Sequence, residues 1–216
     1  MPSGALAAEV TLTEFGEIYY VAAEDEVNDV AVGYDGSSYT FTDSGAAVTV
    51  TDGDGDGGCQ VAGNVATCPA ADVQFLSLDA RDEDDRISVD LQATTIYAQL
   101  RGGDGDDMLT GAAGTDDMYG EAGDDSLSSG DGDDYLDDGL GDDIVNAGAG
   151  ADEFFGAPGH DVFNGEGGDD YFNGIDHTGA DAFAGGAGND WLIYRRVRPV
   201  SVSLNDVADD GENCPA

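Results

Sequence analysis

The chain has 216 residues and a formal net charge of −41, with 47 acidic residues against six arginines and no lysine. Binding to nucleic-acid phosphates or to an anionic membrane surface requires clustered cations, so this charge excludes both classes of partner and favours a cationic one. No stretch approaches the ~20 apolar residues of a membrane span. The length is that of one or two domains.

The first eight residues, MPSGALAA, lack the charged start and the long apolar core of a complete secretory signal. The triplet Ala5-Leu6-Ala7 fits the remnant of an A-x-A cleavage site. We therefore expect a mature or trimmed form of an exported protein, located outside the cell or at its surface.

Residues 9–72 are predicted to form a small antiparallel meander that caps the N-terminal end of the fold. Short β-branched and aromatic runs, such as 18–21 and 39–41, alternate there with polar turns. Cys59 and Cys68 close a ten-residue loop suited to a disulfide-tied hairpin, which agrees with export. The run DGDGDG at 52–57 resembles the opening of an EF-hand loop, but Gly63 stands where the bidentate acid is needed. We interpret it as a mobile acidic turn, with a weak calcium site as the alternative.

Residues 73–101 are predicted to be irregular leading coils of the repeat that follows. Val73, Leu91 and Leu100 fall in phase with its apolar column, and the acidic turn at 79–85 precedes a short strand at 87–89. Arg81 and Arg86 are expected to form ion pairs with aspartates of that turn, which would be a structural role.

A nine-residue unit recurs ten times over residues 102–193, beginning with GGDGDDMLT at 102–110. Position four is glycine in every unit, position six is aspartate, and position eight is large and apolar. A two-residue insertion at 174–175 precedes the last two units. Three invariant columns in ten units identify a true internal repeat.

These columns resemble the RTX, or haemolysin-type calcium-binding, nonapeptide repeat of secreted bacterial proteins. The resemblance covers about the central two-fifths of the chain. It implies a parallel β-roll with calcium held between stacked turns. In that family the repeat commonly accompanies a separate toxin, protease, lipase or adhesin module.

The residues themselves lead to the same architecture. Six positions rich in glycine and aspartate favour a turn, and the last three form a very short strand whose apolar residue faces a core. Two units, or eighteen residues, then complete one coil of a flattened solenoid. We therefore predict an all-β fold, a right-handed parallel β-roll with an N-terminal cap of short strands.

Calcium is the predicted cofactor, because an ion between two stacked coils reaches oxygen ligands of both: strands lie about 4.8 Å apart and calcium takes six to eight oxygens at about 2.3–2.6 Å. The first edge of the roll is predicted to carry Asp107, Asp125, Asp143, Asp161 and Asp181, and the second edge Asp116, Asp134, Asp152, Asp170 and Asp190. Backbone carbonyls complete up to eight interturn sites, four per edge, and the glycines assigned to them are Gly103, Gly105, Gly114, Gly123, Gly132, Gly141, Gly150 and Gly168. The site between Asp161 and Asp181 is the least regular, because Pro158 and the insertion disturb it. Stacked carboxylates repel without metal, so folding is predicted to be coupled to calcium binding.

Residues 194–216 are predicted to form a C-terminal cap and tail. Three of the six arginines cluster at 195–198, where they offset the acidic turns of a capped solenoid end or, as the alternative, form a docking site. Cys214 is left over, and a free thiol, an intermolecular disulfide and a partner lost by truncation all stay open.

No Ser/His/Asp or Cys/His arrangement in a suitable context is present, and His160 and His177 both lie in repeat turns. We therefore predict no enzymatic activity and assign no catalytic residue. The sequence is interpreted as an extracellular calcium-binding protein whose repeats fold around Ca²⁺ as a structural or surface module. The alternatives are calcium-dependent adhesion to a cationic or glycan surface, a matrix or an S-layer, and an accessory repeat fragment of an exported hydrolase or toxin.

Overall fold

The computed structural model of the protein describes residues 7–52, 58–71, 73–91, 96–174, 179–194 and 201–203. Twenty-one β-strands and no helix occur in these ranges. The strands before the repeat are β1 (Ala8–Leu12), β2 (Glu17–Val21), β3 (Asp29–Tyr34), β4 (Ser38–Asp43), β5 (Val48–Asp52), β6 (Gln60–Ala62), β7 (Val65–Pro69), β8 (Phe75–Asp82) and β9 (Arg86–Asp90). Those that follow are β10 (Tyr97–Asp104), β11 (Met108–Thr110), β12 (Asp116–Ala122), β13 (Ser126–Asp131), β14 (Tyr135–Asp137), β15 (Ile144–Ala149), β16 (Glu153–Gly156), β17 (Val162–Gly167), β18 (Tyr171–Gly174), β19 (Ala182–Ala184), β20 (Trp191–Tyr194) and β21 (Ser201–Ser203).

The strands alternate between two sheets. One sheet has the order β20-β18-β16-β14-β12-β10-β8-β2-β1-β5, and the other β21-β19-β17-β15-β13-β11-β9-β3-β4-β7-β6. From β8 onward, each strand pairs in parallel with the strand two places later in the chain. The chain therefore winds as a β-solenoid of about five turns. This confirms the all-β fold of stacked parallel coils.

The register between coils follows the predicted eighteen-residue step. Met118 pairs with Leu136, which is followed by Phe154 and Phe172 at the same height of the next coils. At the insertion the step becomes twenty residues, so that Phe172 pairs with Leu192 and the column continues. The pairing register therefore continues on both sides of the insertion.

Several strands are longer than the three residues that the repeat predicts, whereas β11, β14 and β19 have that length. β12 and β15, for example, continue through the first three positions of the following unit. Gly130, Gly148 and Glu166, all at position two, pair with one another across three coils. The stacked coils hold these turn residues in register, and this outweighs their low intrinsic preference for strands.

The core is a single layer of inward-facing side chains from the two sheets. In the later coils these are phenylalanines: Phe154 stacks on Phe172 with ring centroids 4.4 Å apart, and Phe163 stacks on Phe183 at 5.1 Å. The two stacks meet edge to face, with 5.8 Å between the centroids of Phe154 and Phe163. This geometry is the favourable one for aromatic pairs.

The N-terminal strands are built into both sheets. β2 and β3 pair in parallel with β8 and β9 and so form a coil of the solenoid. The end of one sheet is closed by β1 and β5, and the end of the other by the antiparallel strands β4, β7 and β6. The predicted disulfide between Cys59 and Cys68 is present and ties β7 to the segment before β6.

The leading coils differ from prediction in two respects. Leu100 pairs with Leu78 and Leu109 with Ile87, each twenty-two residues earlier, so Leu91 and Val73 do not stand in the apolar columns as predicted. Four additional residues in this coil break the nine-residue phase. Arg81 and Arg86 form ion pairs with Glu24 at 3.4 Å and Asp29 at 3.9 Å. The predicted pairing with aspartates of their own turn is therefore wrong, because the neighbouring coil offers acidic residues at the same height.

Several predictions fall on residues outside the described ranges. These are the acidic run at 53–57, His177, the arginine cluster at 195–198, and the tail with Cys214. Within the described residues, no helix has the length and hydrophobicity that a membrane span requires. Both sheets continue across residues 72 and 101. The division into segments 9–72, 73–101, 102–193 and 194–216 remains a prediction.

Candidate metal centres

Most turns of the repeat are shaped by a left-handed backbone at positions two and four; the described exceptions at position four are Gly114, Gly159 and Gly179. At Gly123, a position-four residue with φ 144°, an added Cβ would lie 1.9 Å from the carbonyl oxygen of Gly105 in the preceding coil. A side chain is therefore excluded at this position, which explains its invariant glycine. Position two also has positive φ but accepts other residues, including Glu121 (φ 78°) and Glu166 (φ 69°).

The position-six aspartates form a buried ladder along each edge. Each backbone N–H donates a hydrogen bond to the carboxylate Oδ1 of the position-six aspartate in the next coil. On the first edge the N···Oδ1 distances between successive aspartates are 2.8 Å (Asp107 to Asp125), 2.7 Å (Asp125 to Asp143), 3.1 Å (Asp143 to Asp161) and 3.4 Å (Asp161 to Asp181). On the second edge they are 2.9 Å (Asp116 to Asp134), 2.9 Å (Asp134 to Asp152), 3.1 Å (Asp152 to Asp170) and 3.1 Å (Asp170 to Asp190). All eight predicted pairs are thus adjacent, and the bond between Asp161 and Asp181 is the longest.

The position-five aspartates form an exposed ladder that runs in the opposite direction. Here the carboxylate of one coil accepts a hydrogen bond from the backbone N–H of the following coil. Asp106 donates to Asp84 at 3.0 Å, Asp124 to Asp106 at 2.8 Å, and Asp142 to Asp124 at 2.8 Å. Neighbouring coils are therefore joined by carboxylates on the inside and on the outside of the same turn.

The second oxygen of the buried carboxylates accepts no hydrogen bond. This holds for Oδ2 of Asp107, Asp125, Asp134, Asp143, Asp152 and Asp170, and for Oδ1 of Asp116. These side chains are at most 3% exposed. A buried carboxylate oxygen without a donor is costly unless a cation binds it, so the row of such oxygens indicates a row of cation sites.

Backbone carbonyl oxygens lie close to the ladder carboxylates. A Cβ on Gly120 would lie 2.4 Å from Asp125 Oδ2 and 2.0 Å from the carbonyl oxygen of Asp138 in the next coil. A Cβ on Gly132 would likewise lie 2.2 Å from the carbonyl oxygen of Gly114 and 2.8 Å from Asp134 Oδ1. Each gap between coils presents carboxylate and carbonyl oxygens, the ligand types that calcium prefers. The residues therefore fit calcium.

The predicted glycine ligands occupy these gaps at position four, with the exception of Gly103 at position two. The carbonyl oxygens at position four face the Cα of position four in the next coil, as seen for Gly105, Gly114, Gly123, Gly132, Gly141, Gly150 and Gly168. Gly103 lies beside the carbonyl oxygen of Arg81 and pairs with Glu121. The position-one carbonyls of Gly120, Asp138 and Gly185 also lie close to the aspartates, and they were not among the predicted ligands.

Burial raises the pKa of seven ladder aspartates far above the usual value. The pKa rises to about 7 for Asp107, Asp116, Asp143, Asp152 and Asp161, and to about 6 for Asp125 and Asp170. Desolvation is the largest cause, and hydrogen bonds from backbone amides oppose it. Without metal, these groups therefore hold protons at a pH where ordinary aspartates have lost them.

Sequence reasoning missed two residues of the ladder. Asp85 is 3% exposed, its backbone N–H donates to Asp107 Oδ1 at 2.8 Å, and it accepts a hydrogen bond from the amide of Asn28. Asp85 could have been found from Ile87, which follows it by two residues, as position eight follows position six in the repeat. The turn was not recognised as a repeat turn because Arg81 and Glu83 stand where the repeat has small residues. Asn28 takes the place of the aspartate in the coil before.

A third residue, Asp138, stands at position one of its unit and is fully buried. Its carboxylate lies beside those of Asp143 and Asp161, with one oxygen of each within 4.8 Å of the others. Burial, followed by the charges of Asp161 and Asp143, raises the pKa of Asp138 to about 9. Position one is not one of the three invariant columns, so the repeat pattern assigned Asp138 no role.

The comparison with protein families matches residues 99–127, 119–154, 128–163, 147–174 and 177–193 to the RTX calcium-binding nonapeptide repeat, in a model of four copies. The matched residues make up less than half of the chain. Comparison with curated proteins and with solved structures gave no match. The repeat columns, the solenoid and the family match agree, and residues 99–193 of this chain carry RTX calcium-binding nonapeptide repeats.

Proposed function

We propose that this protein is an extracellular calcium-binding module whose coils fold around Ca²⁺, with ions held between successive position-six aspartates of both edges. The observation that carries the proposal is the row of buried carboxylate oxygens that accept no hydrogen bond, with carbonyl oxygens of the next coil close to those of Asp107, Asp125 and Asp170. Up to eight such gaps lie along the ten repeat units. The role is structural, and no catalytic residue is assigned.

Calcium availability and redox chemistry support the extracellular setting. Repeated sites of this kind fill at the millimolar calcium found outside cells and stay empty at cytosolic concentrations. The disulfide between Cys59 and Cys68 also favours an oxidising compartment, and RTX repeat proteins are typically secreted.

The test is a calcium titration of the chelator-treated chain. The β signal is monitored by far-UV circular dichroism, and the size of the chain by size-exclusion chromatography with light scattering. We expect a reversible gain of β signal and a smaller hydrodynamic radius with calcium, and neither change with magnesium. A chain that is equally folded in chelator would show that the aspartate ladders are not structural metal sites.

Calcium-dependent adhesion is the second candidate, and the exposed aspartate ladder favours it. Asp106, Asp124 and Asp142 lie in a row on the outside of the first edge, with eighteen residues between neighbours. Such a row could share bridging calcium ions with an anionic glycan or matrix. Retention of the calcium-loaded chain on immobilised acidic polysaccharide, lost after Asp106, Asp124 and Asp142 are all changed to asparagine, would support this role.

A further inference from the structure

Asp138 departs from the repeat at a position where a side chain changes the chemistry of the gap. In the other units of residues 102–193 whose first residue the structure describes, position one is glycine, serine or alanine. Asp138 Oδ1 accepts hydrogen bonds from the amide of Gly139 at 2.7 Å and from that of Ala157, in the next coil, at 2.9 Å. Its Oδ2 accepts none, although the side chain is fully buried.

The unused oxygen belongs to a cluster of three carboxylates. Asp138, Asp143 and Asp161 are 0%, 0% and 1% exposed, and one oxygen of each lies within 4.8 Å of the others. In the described part of the chain, this is the one cluster of three potential acidic, histidine or cysteine ligands with this spacing. None of the ion pairs formed by described residues includes a member of the cluster. Three buried carboxylates without a cationic partner repel one another strongly unless a cation joins them.

We propose that Asp138 makes the gap between Asp143 and Asp161 a three-carboxylate cation site, which binds Ca²⁺ more tightly than the other gaps and prefers trivalent lanthanide ions. The inference rests on the proposed calcium function. Calcium affinity rises with the number of charged ligands in a site of similar geometry, and three carboxylates match a triply charged ion. This site lies in the fifth of ten units, so the first ion bound orders the middle of the array.

The test compares the full chain with the variants Asp138→Gly, which restores the common repeat residue, and Asp138→Asn, which keeps an Oδ1 acceptor for both amides. Asp137→Asn is the matched control, because it removes the same charge from the neighbouring residue, which is outside the cluster. Calcium binding is measured at pH 7.5 by titration against a competing chelator, and La³⁺ is then used to displace calcium. In the unaltered chain and in the control, we expect one ion to bind roughly tenfold or more tightly than the rest. Both Asp138 variants should lose this tight step, together with its preference for La³⁺, and keep the weaker steps.

A second measurement separates ligand binding from simple packing. In chelator, the residual far-UV β signal of Asp138→Asn should not fall below that of the unaltered chain, because asparagine has the size of aspartate and keeps the Oδ1 acceptor for both amides. A variant that loses metal-free stability and calcium affinity together would indicate a packing role and overturn the inference. Equal tightest affinities in all four proteins would also overturn it while leaving the proposed function intact. An unaltered chain that binds no calcium would overturn the proposed function itself.

Discussion

At the scale of single residues, adjacent aspartates of one turn have opposite surroundings. Asp134 is 3% exposed and accepts a hydrogen bond from the backbone amide of Asp116. Asp133, in contrast, is exposed and accepts a hydrogen bond from the backbone amide of Ala151. A substitution at position six therefore leaves a buried amide without an acceptor and removes a metal ligand. The same substitution at position five does neither.

We predict that Asp134→Ala lowers the free energy of unfolding of the calcium-bound chain by roughly 1–3 kcal/mol from the amide alone, with a further loss from weaker calcium binding. Asp133→Ala, the matched control, should cost about 1 kcal/mol or less, because its hydrogen bond is exposed to water. Urea unfolding at saturating calcium measures both values. Similar losses in the two variants would contradict the assignment of position six to the metal.

Glu121 gives a test of backbone strain at position two. Its φ of 78° is left-handed, a conformation that costs a non-glycine residue about 1–2 kcal/mol, while its ion pair with Arg101 at 3.1 Å is exposed and contributes little. We expect Glu121→Gly to raise the free energy of unfolding by about 1 kcal/mol. Glu153→Gly is the control, because Glu153 is exposed in strand β16, and it should be destabilising by about 0.5–1 kcal/mol. In thermal melts at a fixed calcium concentration, the melting temperature should rise for Glu121→Gly and fall for Glu153→Gly.

The invariant columns were enough to predict which aspartates are neighbours, because a fixed repeat length places equal positions at equal heights. Asp138 and Asp85 could not be found in this way. Asp138 stands outside the three invariant columns, at a position where Asp176 also occurs. The repeat pattern does not show that position one faces inward beside position six, which the structure does. Asp85 lies in a coil whose turn has lost its glycines.

At the scale of the strands, the aromatic stacks of the later coils carry much of the packing. Phe172 is fully buried and contacts the rings of both Phe154 and Phe183, whereas Tyr171, its neighbour in β18, lies on the outer face. We predict that Phe172→Ala costs about 3–5 kcal/mol in the calcium-bound state, and that Tyr171→Ala costs on the order of 1 kcal/mol. Urea unfolding followed by circular dichroism is the measurement. A loss for Tyr171→Ala as large as that for Phe172→Ala would show that the inner column is not the main source of stability.

The strand boundaries were less predictable than the strand positions. The intrinsic conformational preferences of the residues predict that each strand ends where the next unit begins. In the structure, β12, β13 and β15 continue into the turn. Parallel pairing with the coils on either side supplies the hydrogen bonds that keep these residues extended. Such pairing is a tertiary effect, which a nine-residue pattern does not contain.

For the whole molecule, the raised pKa values predict an unusual dependence of stability on pH. Without metal, Asp107, Asp143 and Asp152 have a pKa of about 7 in the folded chain, against 3.8 as the ordinary value. The folded state therefore binds more protons than the unfolded state between these values, and the free energy of unfolding falls as the pH rises through this window. In chelator, the chain should be more folded at pH 5 than at pH 8.

Calcium should reverse this order, because it binds the deprotonated carboxylates and takes the place of their protons. At saturating calcium, the urea midpoint should be at least as high at pH 8 as at pH 5. Far-UV circular dichroism at the two pH values, with chelator and with calcium, gives the four midpoints. A midpoint in chelator that rises from pH 5 to pH 8 would contradict the burial of the ladders.

The stacking of coils also determines how the molecule responds to tension. Eighteen residues drawn straight span about 60 Å, whereas one stacked coil adds only about 4.8 Å to the height of the roll. A coil pulled from the end of the array therefore lengthens the chain more than tenfold, and its neighbours stay intact because each contacts only the coils on either side. Calcium in the gaps would set the force at which each coil detaches, so the protein would behave as an extensible tether whose stiffness depends on the calcium concentration around it.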